Sequence, residues 1–145
     1  MTESTHSPTI DVHCHLSTPA ASALTDPHAR PEYEPYQYFM GQDSIDHNKV
    51  MFPTIADALS NADARIAHMD AMGVDIQGLA TFVSQYCYWA PAKVAAESAR
   101  LQNDHLAEAC RDHPDRFASF GATVPLQDVD LAIAEMHRVV DDLGF

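Results

Sequence analysis

Apolar and polar residues alternate in the first predicted element of the chain, residues 9–16 (TIDVHCHL). Apolar side chains at every second position are typical of a β-strand with one buried face. Two later apolar runs, residues 74–83 and residues 117–124, are short enough to be strands as well. The pattern therefore predicts three strands that are widely separated along the chain.

Three segments with helical periodicity lie between and after these strands. Residues 62–72 follow Ser60 and Asn61, either of which can cap a helix, and Gly73 is a natural stop. Alternating strands and helices are typical of a parallel sheet with crossover helices, so we expect an α/β fold. The other two predicted helices cover residues 91–112 and 127–143. The expected packing positions of the last helix are Leu131, Ile133, Ala134, Val139 and Val140.

Residues 17–60 show no sustained periodicity and hold five of the nine prolines. We expect a long loop here, and such loops in compact domains are usually functional lids or disordered linkers. An aromatic cluster within the segment favours a packed lid over a flexible linker. A surface loop that these rings merely attach to the domain is an equally good interpretation. The cluster consists of Tyr33, Tyr36, Tyr38 and Phe39.

Composition narrows the class of protein. Apolar residues make up 46% and charged residues 20%, the balance of a soluble globular domain. A net charge of -13 with only 8 lysines and arginines argues against binding of nucleic acid. Residues 1–8 form a polar tail without the layout of a signal peptide, and no apolar run approaches a membrane span, so we expect a cytoplasmic protein. Cys14, Cys87 and Cys110 are widely spaced and are expected to be free thiols.

The chemistry of the first strand centres on His13 and His15. Residues two apart on a strand face the same side with Cα atoms about 6.6 Å apart, so both imidazoles can reach one cation. Neutral imidazole is a common ligand of zinc and related divalent ions. Asp11 is expected on the same face as an acceptor for an imidazole, or else as a plain turn or capping residue. Cys14 is expected to point to the opposite face and to pack there.

Residues 10–15 (IDVHCH) resemble the opening metal motif of the amidohydrolase superfamily. Later segments are similar in order and spacing to the aminocarboxymuconate semialdehyde decarboxylase branch of that superfamily. These segments are residues 65–74 (RIAHMDAMGV), 88–90 (YWA), 103–104 (ND), 106–107 (LA), 114–117 (PDRF), 124–128 (VPLQD) and 134–136 (AEM).

The resemblance implies a metal-dependent TIM barrel, usually zinc-dependent, that acts on a small-molecule carboxylate. Most relatives of this kind are non-oxidative decarboxylases, and some are hydrolases or hydratases. By the motif, His13 and His15 are metal ligands, whereas the remaining ligands and the catalytic histidine of the family come from later strands and have no counterpart here. A closed eight-unit barrel needs roughly 250 residues. The 145-residue chain is therefore expected to be one partial domain with the first three or so β/α units, truncated.

An uncovered sheet edge and helix face would favour a homo-oligomer. Alone, the chain is expected to bind metal weakly and to be inactive. A non-catalytic remnant and an unrelated small α/β binding module are the alternatives.

Further residues have a functional and a structural interpretation. Tyr88 and Trp89 follow the second predicted strand, where a substrate wall and simple lid packing explain them equally well. Asn103 and Asp104 lie within a predicted helix, which favours a structural role. The resemblance also places a substrate-carboxylate arginine near Pro53, and Arg30 is the only arginine of residues 17–60, so the specific substrate differs from that of the enzyme that names the branch.

Overall fold

The computed structural model describes residues 7–33, 39–119 and 121–145. Most of the predicted polar tail and two members of the predicted aromatic cluster, Tyr36 and Tyr38, lie outside the described residues. The strands are β1 (Ile10–Leu16), β2 (Ile76–Thr81) and β3 (Phe117–Ser119). The helices are α1 (Pro19–Thr25), α2 (Gln42–Ser60), α3 (Ala62–Met72), α4 (Ala92–Asp112) and α5 (Val129–Asp141).

The three strands form one parallel sheet in the order β1-β2-β3. This confirms the predicted α/β class and the predicted strand positions, although β2 and β3 are shorter than the apolar runs that indicated them. Gly121 follows β3 and lies against β2, where an added Cβ would be 3.1 Å from the Cβ of Ala80. The two neighbouring strands therefore approach each other as closely as their side chains allow at this point.

The pairing of β1 with β2 contains a β-bulge. Asp11 lies opposite Gln77 and Cys14 lies opposite Leu79, so two residues of β1 share one position of the partner strand. Side chains alternate between the two faces of a strand, and the extra residue shifts this alternation. Asp11 and Cys14 consequently face the same side of the sheet.

Helices α3 and α4 cover that side and form the core with it. The buried cluster includes Met69 from α3, Leu106 from α4 and Cys14 from β1, which confirms the predicted packing role of Cys14. The opposite side is less buried: Ile10 is 49% exposed there, and Ile76 and Ala80 are partly buried. In a (β/α) barrel this second side would be the interior of the barrel.

The predicted long loop over residues 17–60 was wrong for most of its length. Pro19 lies in the first turn of α1, where its missing N–H costs no helical hydrogen bond. Pro53 lies inside the 19-residue helix α2. None of the described side chains of α2 is fully buried.

Caps define α3 as predicted, whereas the predicted face of α5 was partly wrong. The side chain of Asn61 accepts from two backbone N–H groups of α3, and Gly73 ends the helix with a φ of 69°. In α5, Val139 is buried, but Ile133 and Val140 are 47% and 55% exposed. No helix among the described residues is long and apolar enough to cross a membrane.

Candidate metal centre and adjoining cavity

The imidazoles of His13 and His15 converge. Their Nε2 atoms are 3.1 Å apart, and the ring centroids are 5.0 Å apart with an angle of 79° between the planes. Both residues belong to β1, and the bulge does not separate their side chains. The pair therefore presents two nitrogen atoms to one point in space.

A hydrogen bond to β2 determines the tautomer of His15. Its Nδ1 lies 2.9 Å from the carbonyl oxygen of Thr81, which can only accept. Nδ1 therefore carries the proton, and Nε2 is left with a free lone pair. The contact between the two Nε2 atoms then requires a proton on Nε2 of His13, which a cation between the rings would displace.

The spacing of the pair fits two positions on one divalent ion. Zinc–nitrogen bonds of 2.0–2.1 Å in tetrahedral geometry place two ligand atoms roughly 3.3 Å apart. The observed separation of 3.1 Å is close to this value. In residues 7–33, 39–119 and 121–145, no group of three or more histidine, cysteine, aspartate or glutamate side chains is arranged to hold a metal. The chain thus provides two candidate ligands.

Asp11 differs from its predicted placement. The bulge turns its side chain to the side of the helices, and its Oδ1 accepts from the backbone N–H of His13 at 3.2 Å. Contacts with the thiol of Cys14, and to a lesser extent with the backbone of His13 and the amide of Gln77, lower the pKa of the Asp11 carboxyl below its ordinary value. Asp11 therefore holds the main chain of His13 by a hydrogen bond. It does not accept the hydrogen bond from an imidazole that the sequence predicts.

An open aromatic cavity of about 1060 Å³ adjoins the histidine pair. Tyr88 and Trp89 line it, as expected for either a substrate wall or lid packing. Phe82, which the sequence did not single out, connects the two features, because its ring lies 6.3 Å from that of His15 and 6.3 Å from that of Phe52. The lining residues are Tyr33, Met40, Asn48, Phe52, Phe82, Val83, Ser84, Tyr86, Cys87, Tyr88 and Trp89.

The turn after β2 shapes one wall of the cavity. Cys87 has a φ of 47°, a conformation that costs energy for a residue with a side chain. Its carbonyl oxygen accepts from the N–H of Ala90 and from Nε2 of Gln127. Burial raises the pKa of the Tyr88 phenol, which keeps that group neutral at physiological pH. The wall therefore offers uncharged aromatic surfaces to a ligand.

Several other residues lie apart from the histidine pair. Asn103 is fully buried and hydrogen-bonds the backbone of Thr123, and Asp104 forms an ion pair with Arg138, so both have the expected structural role. Arg30 lines a second pocket of about 340 Å³, which Trp89 also lines. None of the three cysteines, all of which are described, forms a disulfide, as expected.

Similarity to known proteins agrees with this geometry. A family model described as amidohydrolase matches residues 10–145. The chain belongs to the amidohydrolase family. This amidohydrolase-family chain is 45% identical over 83 residues to a gamma-resorcylate decarboxylase of Rhizobium radiobacter. The aligned part is 57% of the chain and 25% of that decarboxylase. It is 30% identical over 145 residues to a 2-amino-3-carboxymuconate-6-semialdehyde decarboxylase of Dictyostelium discoideum. This alignment includes 93% of the chain and 38% of that decarboxylase.

Solved structures show the same relationship. A 2,6-dihydroxybenzoate decarboxylase in complex with 2,6-dihydroxybenzoate superposes with a TM-score of 0.66 at 31% identity, over 97% of the chain and 38% of its own length. A second match is a 5-carboxyvanillate decarboxylase from Novosphingobium aromaticivorans in complex with manganese and 4-hydroxy-3-methoxy-5-nitrobenzoic acid. It superposes with a TM-score of 0.72 at 26% identity, over 99% of the chain and 41% of its own length. The chain thus spans a quarter to two fifths of the length of these relatives and matches their amino-terminal part.

Proposed function

We propose that the chain supplies two metal ligands and part of the substrate cavity of a metal-dependent decarboxylase that acts on aromatic carboxylates. The observation that carries the proposal is the convergence of the two Nε2 atoms of His13 and His15, 3.1 Å apart, beside a cavity with aromatic walls. The decarboxylases to which the chain is similar, several of which bind manganese or aromatic carboxylates, support it.

Each group of the site has a separate task in this proposal. His13 and His15 would hold the divalent ion, which when bound acts as a Lewis acid toward oxygen atoms of the substrate. The hydrogen bond from His15 to Thr81 keeps the proton on Nδ1 and leaves Nε2 available as a ligand. Tyr88 and Trp89 would contact the ring of the substrate and exclude water from it.

Two imidazoles are fewer than the three protein ligands of an ordinary catalytic zinc site. The 145-residue chain alone is therefore expected to bind divalent metal weakly and to show no turnover. Zinc is the metal that we predict, and manganese is the metal bound by several similar structures. Titration with both ions decides between them.

Isothermal titration calorimetry of the wild-type chain and of His13→Ala and His15→Ala tests the metal site. We expect weak binding by the wild type, at micromolar or higher Kd, and loss of binding in both variants. His137→Ala is the matched control, because the side chain of His137 is 75% exposed on α5. Metal binding that survives unchanged in His13→Ala or His15→Ala, or that His137→Ala also abolishes, would contradict the proposal.

The cavity is tested with the fluorescence of Trp89, which is the single tryptophan of the chain. Addition of 2,6-dihydroxybenzoate should quench this fluorescence, and acetate at equal ionic strength should not. Tyr88→Ala should weaken the aromatic ligand, because one contact surface is removed. Equal responses to the two carboxylates would argue against an aromatic substrate.

A cytoplasmic location and self-association, both expected from the sequence, stay predictions. Sedimentation velocity over a range of protein concentrations tests self-association, for which a concentration-independent monomer would be the contrary result. Fractionation of the source cells tests the location.

A further inference from the structure

We infer that Arg65 is a positioning residue for the metal ligands, an inference that rests on the proposed function of His13 and His15. Arg65 lies on α3, behind the sheet, and is buried. Its Nη2 donates to the carbonyl oxygen of His15 at 2.5 Å, and its Nη1 donates to Oε1 of Gln77 at 3.2 Å. One guanidinium thus contacts the main chain of a ligand directly.

The contact completes the restraint of His15. The residue pairs with Ala80 in the sheet, its carbonyl oxygen accepts from Arg65, and its ring donates to Thr81. Main chain and ring are therefore held from different directions. Outer hydrogen bonds of this kind fix the orientation of metal ligands, and their loss typically weakens metal binding.

The same guanidinium also reaches His13 through side chains on the helix-covered side of the sheet. Arg65 donates to Oε1 of Gln77, Gln77 lies opposite Asp11 on the neighbouring strand, and Asp11 accepts from the backbone N–H of His13. The bulge of β1 creates this path, because it turns Asp11 toward Gln77. Arg65 is consequently connected to both ligands, directly to His15 and through two residues to His13.

A purely stabilising role explains Arg65 poorly. Its side chain is buried, and neither of its two hydrogen bonds goes to a carboxylate. Within the described part of the chain its Nε has no hydrogen-bond partner. A buried cation in such surroundings costs stability, and an apolar residue of similar volume often costs less. Positioning of the ligands gives this cation a function that a methionine would lack.

Arg116 provides a matched comparison. It also donates to backbone carbonyl oxygens, those of Val74 and Asp75, but it forms an ion pair with Asp70 and lies at the opposite end of the strands from His15. Arg65→Met and Arg116→Met therefore both remove an arginine that binds main-chain carbonyls. Only the first removes a contact with a proposed ligand.

The test measures Mn²⁺ and Zn²⁺ affinity by calorimetry in the wild type, Arg65→Met, Arg65→Lys and Arg116→Met. We expect Arg65→Met to weaken metal binding by about tenfold. Arg65→Lys, which keeps the charge and one donor, should recover part of the affinity, and Arg116→Met should stay within about twofold of the wild type. Nitrogen-15 NMR of His15 should show faster solvent exchange of the Nδ1 proton in Arg65→Met only.

The outcomes separate the two proposals. Failure of the wild type to bind metal through His13 and His15 would refute the proposed function. Wild-type binding together with unchanged affinity and an unchanged His15 spectrum in Arg65→Met would refute the role of Arg65. Should Arg65→Met not fold, Arg65→Lys decides, because it alters the contact with the carbonyl oxygen of His15 while keeping the charge. Weaker metal binding and faster exchange of the His15 Nδ1 proton in Arg65→Lys support the inference, and wild-type values overturn it.

Discussion

The side-chain amide of Gln85 hydrogen-bonds both main-chain groups of Thr18. Its Oε1 accepts from the N–H of Thr18 at 2.9 Å, and its Nε2 donates to the carbonyl oxygen of Thr18 at 2.8 Å. Gln85 follows β2 and Thr18 follows β1, so the amide joins the two segments that leave the sheet beside the candidate metal centre. Both residues are buried, which excludes water as a substitute partner.

Replacement of Gln85 by alanine should therefore destabilise the fold. The change leaves the buried N–H of Thr18 without a partner, which costs about 1–3 kcal/mol of unfolding free energy. The carbonyl oxygen of Thr18 still accepts from the N–H groups of Ala21 and Ser22. Urea denaturation followed by circular dichroism measures the loss. Gln85→Glu keeps the acceptor but removes the donor, and we expect it to be no more stable than the alanine variant. An unchanged denaturation midpoint in Gln85→Ala would show that the contact is dispensable.

Asn103 should contribute to stability and not to ligand binding. Its Oδ1 accepts from the N–H of Thr123, and its Nδ2 donates to the carbonyl oxygen of Thr123 and to Glu135. Asn103→Leu keeps the volume but leaves these groups unpaired, so we expect a loss of about 2 kcal/mol in unfolding free energy. Metal affinity, measured at a temperature where the variant is folded, should not change. Asn48→Leu is the control, because the hydrogen bond of the Asn48 amide to the sulfur of Met40 is one to a weak acceptor.

The buried thiol of Cys14 should make stability depend on alkaline pH. Burial, the largest cause, raises the pKa of this thiol from 9.0 to about 12. Below the unfolded value both states are protonated and the stabilisation is fully present. As the pH rises toward the folded value, the unfolded chain ionises first and the stabilisation is lost. Denaturation at about pH 8 and about pH 10.5 should therefore show a loss for the wild type that is smaller in Cys14→Ala. Equal losses in both proteins would contradict the assignment.

Helix α2 should open more easily than α4. No described side chain of α2 is fully buried, whereas α4 buries seven, and Pro53 removes one helical hydrogen bond within α2. Amide hydrogen exchange should consequently be faster along α2 than along α4. Pro53→Ala should slow exchange on both sides of the substituted position, and similar protection of the two helices in the wild type would be the contrary finding.

The sequence predicts those parts of the fold that have a regular period or a clear boundary. The helix between Asn61 and Gly73 has both, and its observed ends are those predicted. The apolar runs predict where the strands lie. The end of a strand depends on how far the neighbouring strand pairs with it, and the sequence of one segment does not show this pairing. The length of β3 is an example, since among the described residues its paired part covers Phe117–Ser119.

The remaining differences arise from contacts between distant segments. An unbroken alternation in β1 predicts Asp11 on the side of the histidines, and only the pairing with Gln77 and Leu79 reveals the bulge that turns it away. Helix α2 escaped prediction because Pro53 indicated a break in the segment, and none of the described side chains of this helix is fully buried. Phe82 and Arg65 belong to no motif of metal or substrate binding, and their relation to His15 depends on the way in which β2 and α3 pack against β1.

The narrow space beside Gly121 has a consequence for the distant histidines. A methyl group at this position would push Ala80 away by a few tenths of an ångström, and the next residue, Thr81, holds the ring of His15 through its carbonyl oxygen. The segment after the third strand thereby affects the position of a nitrogen atom on the first strand. Fine adjustment of the metal centre can thus arise from substitutions two strands away that never touch a ligand.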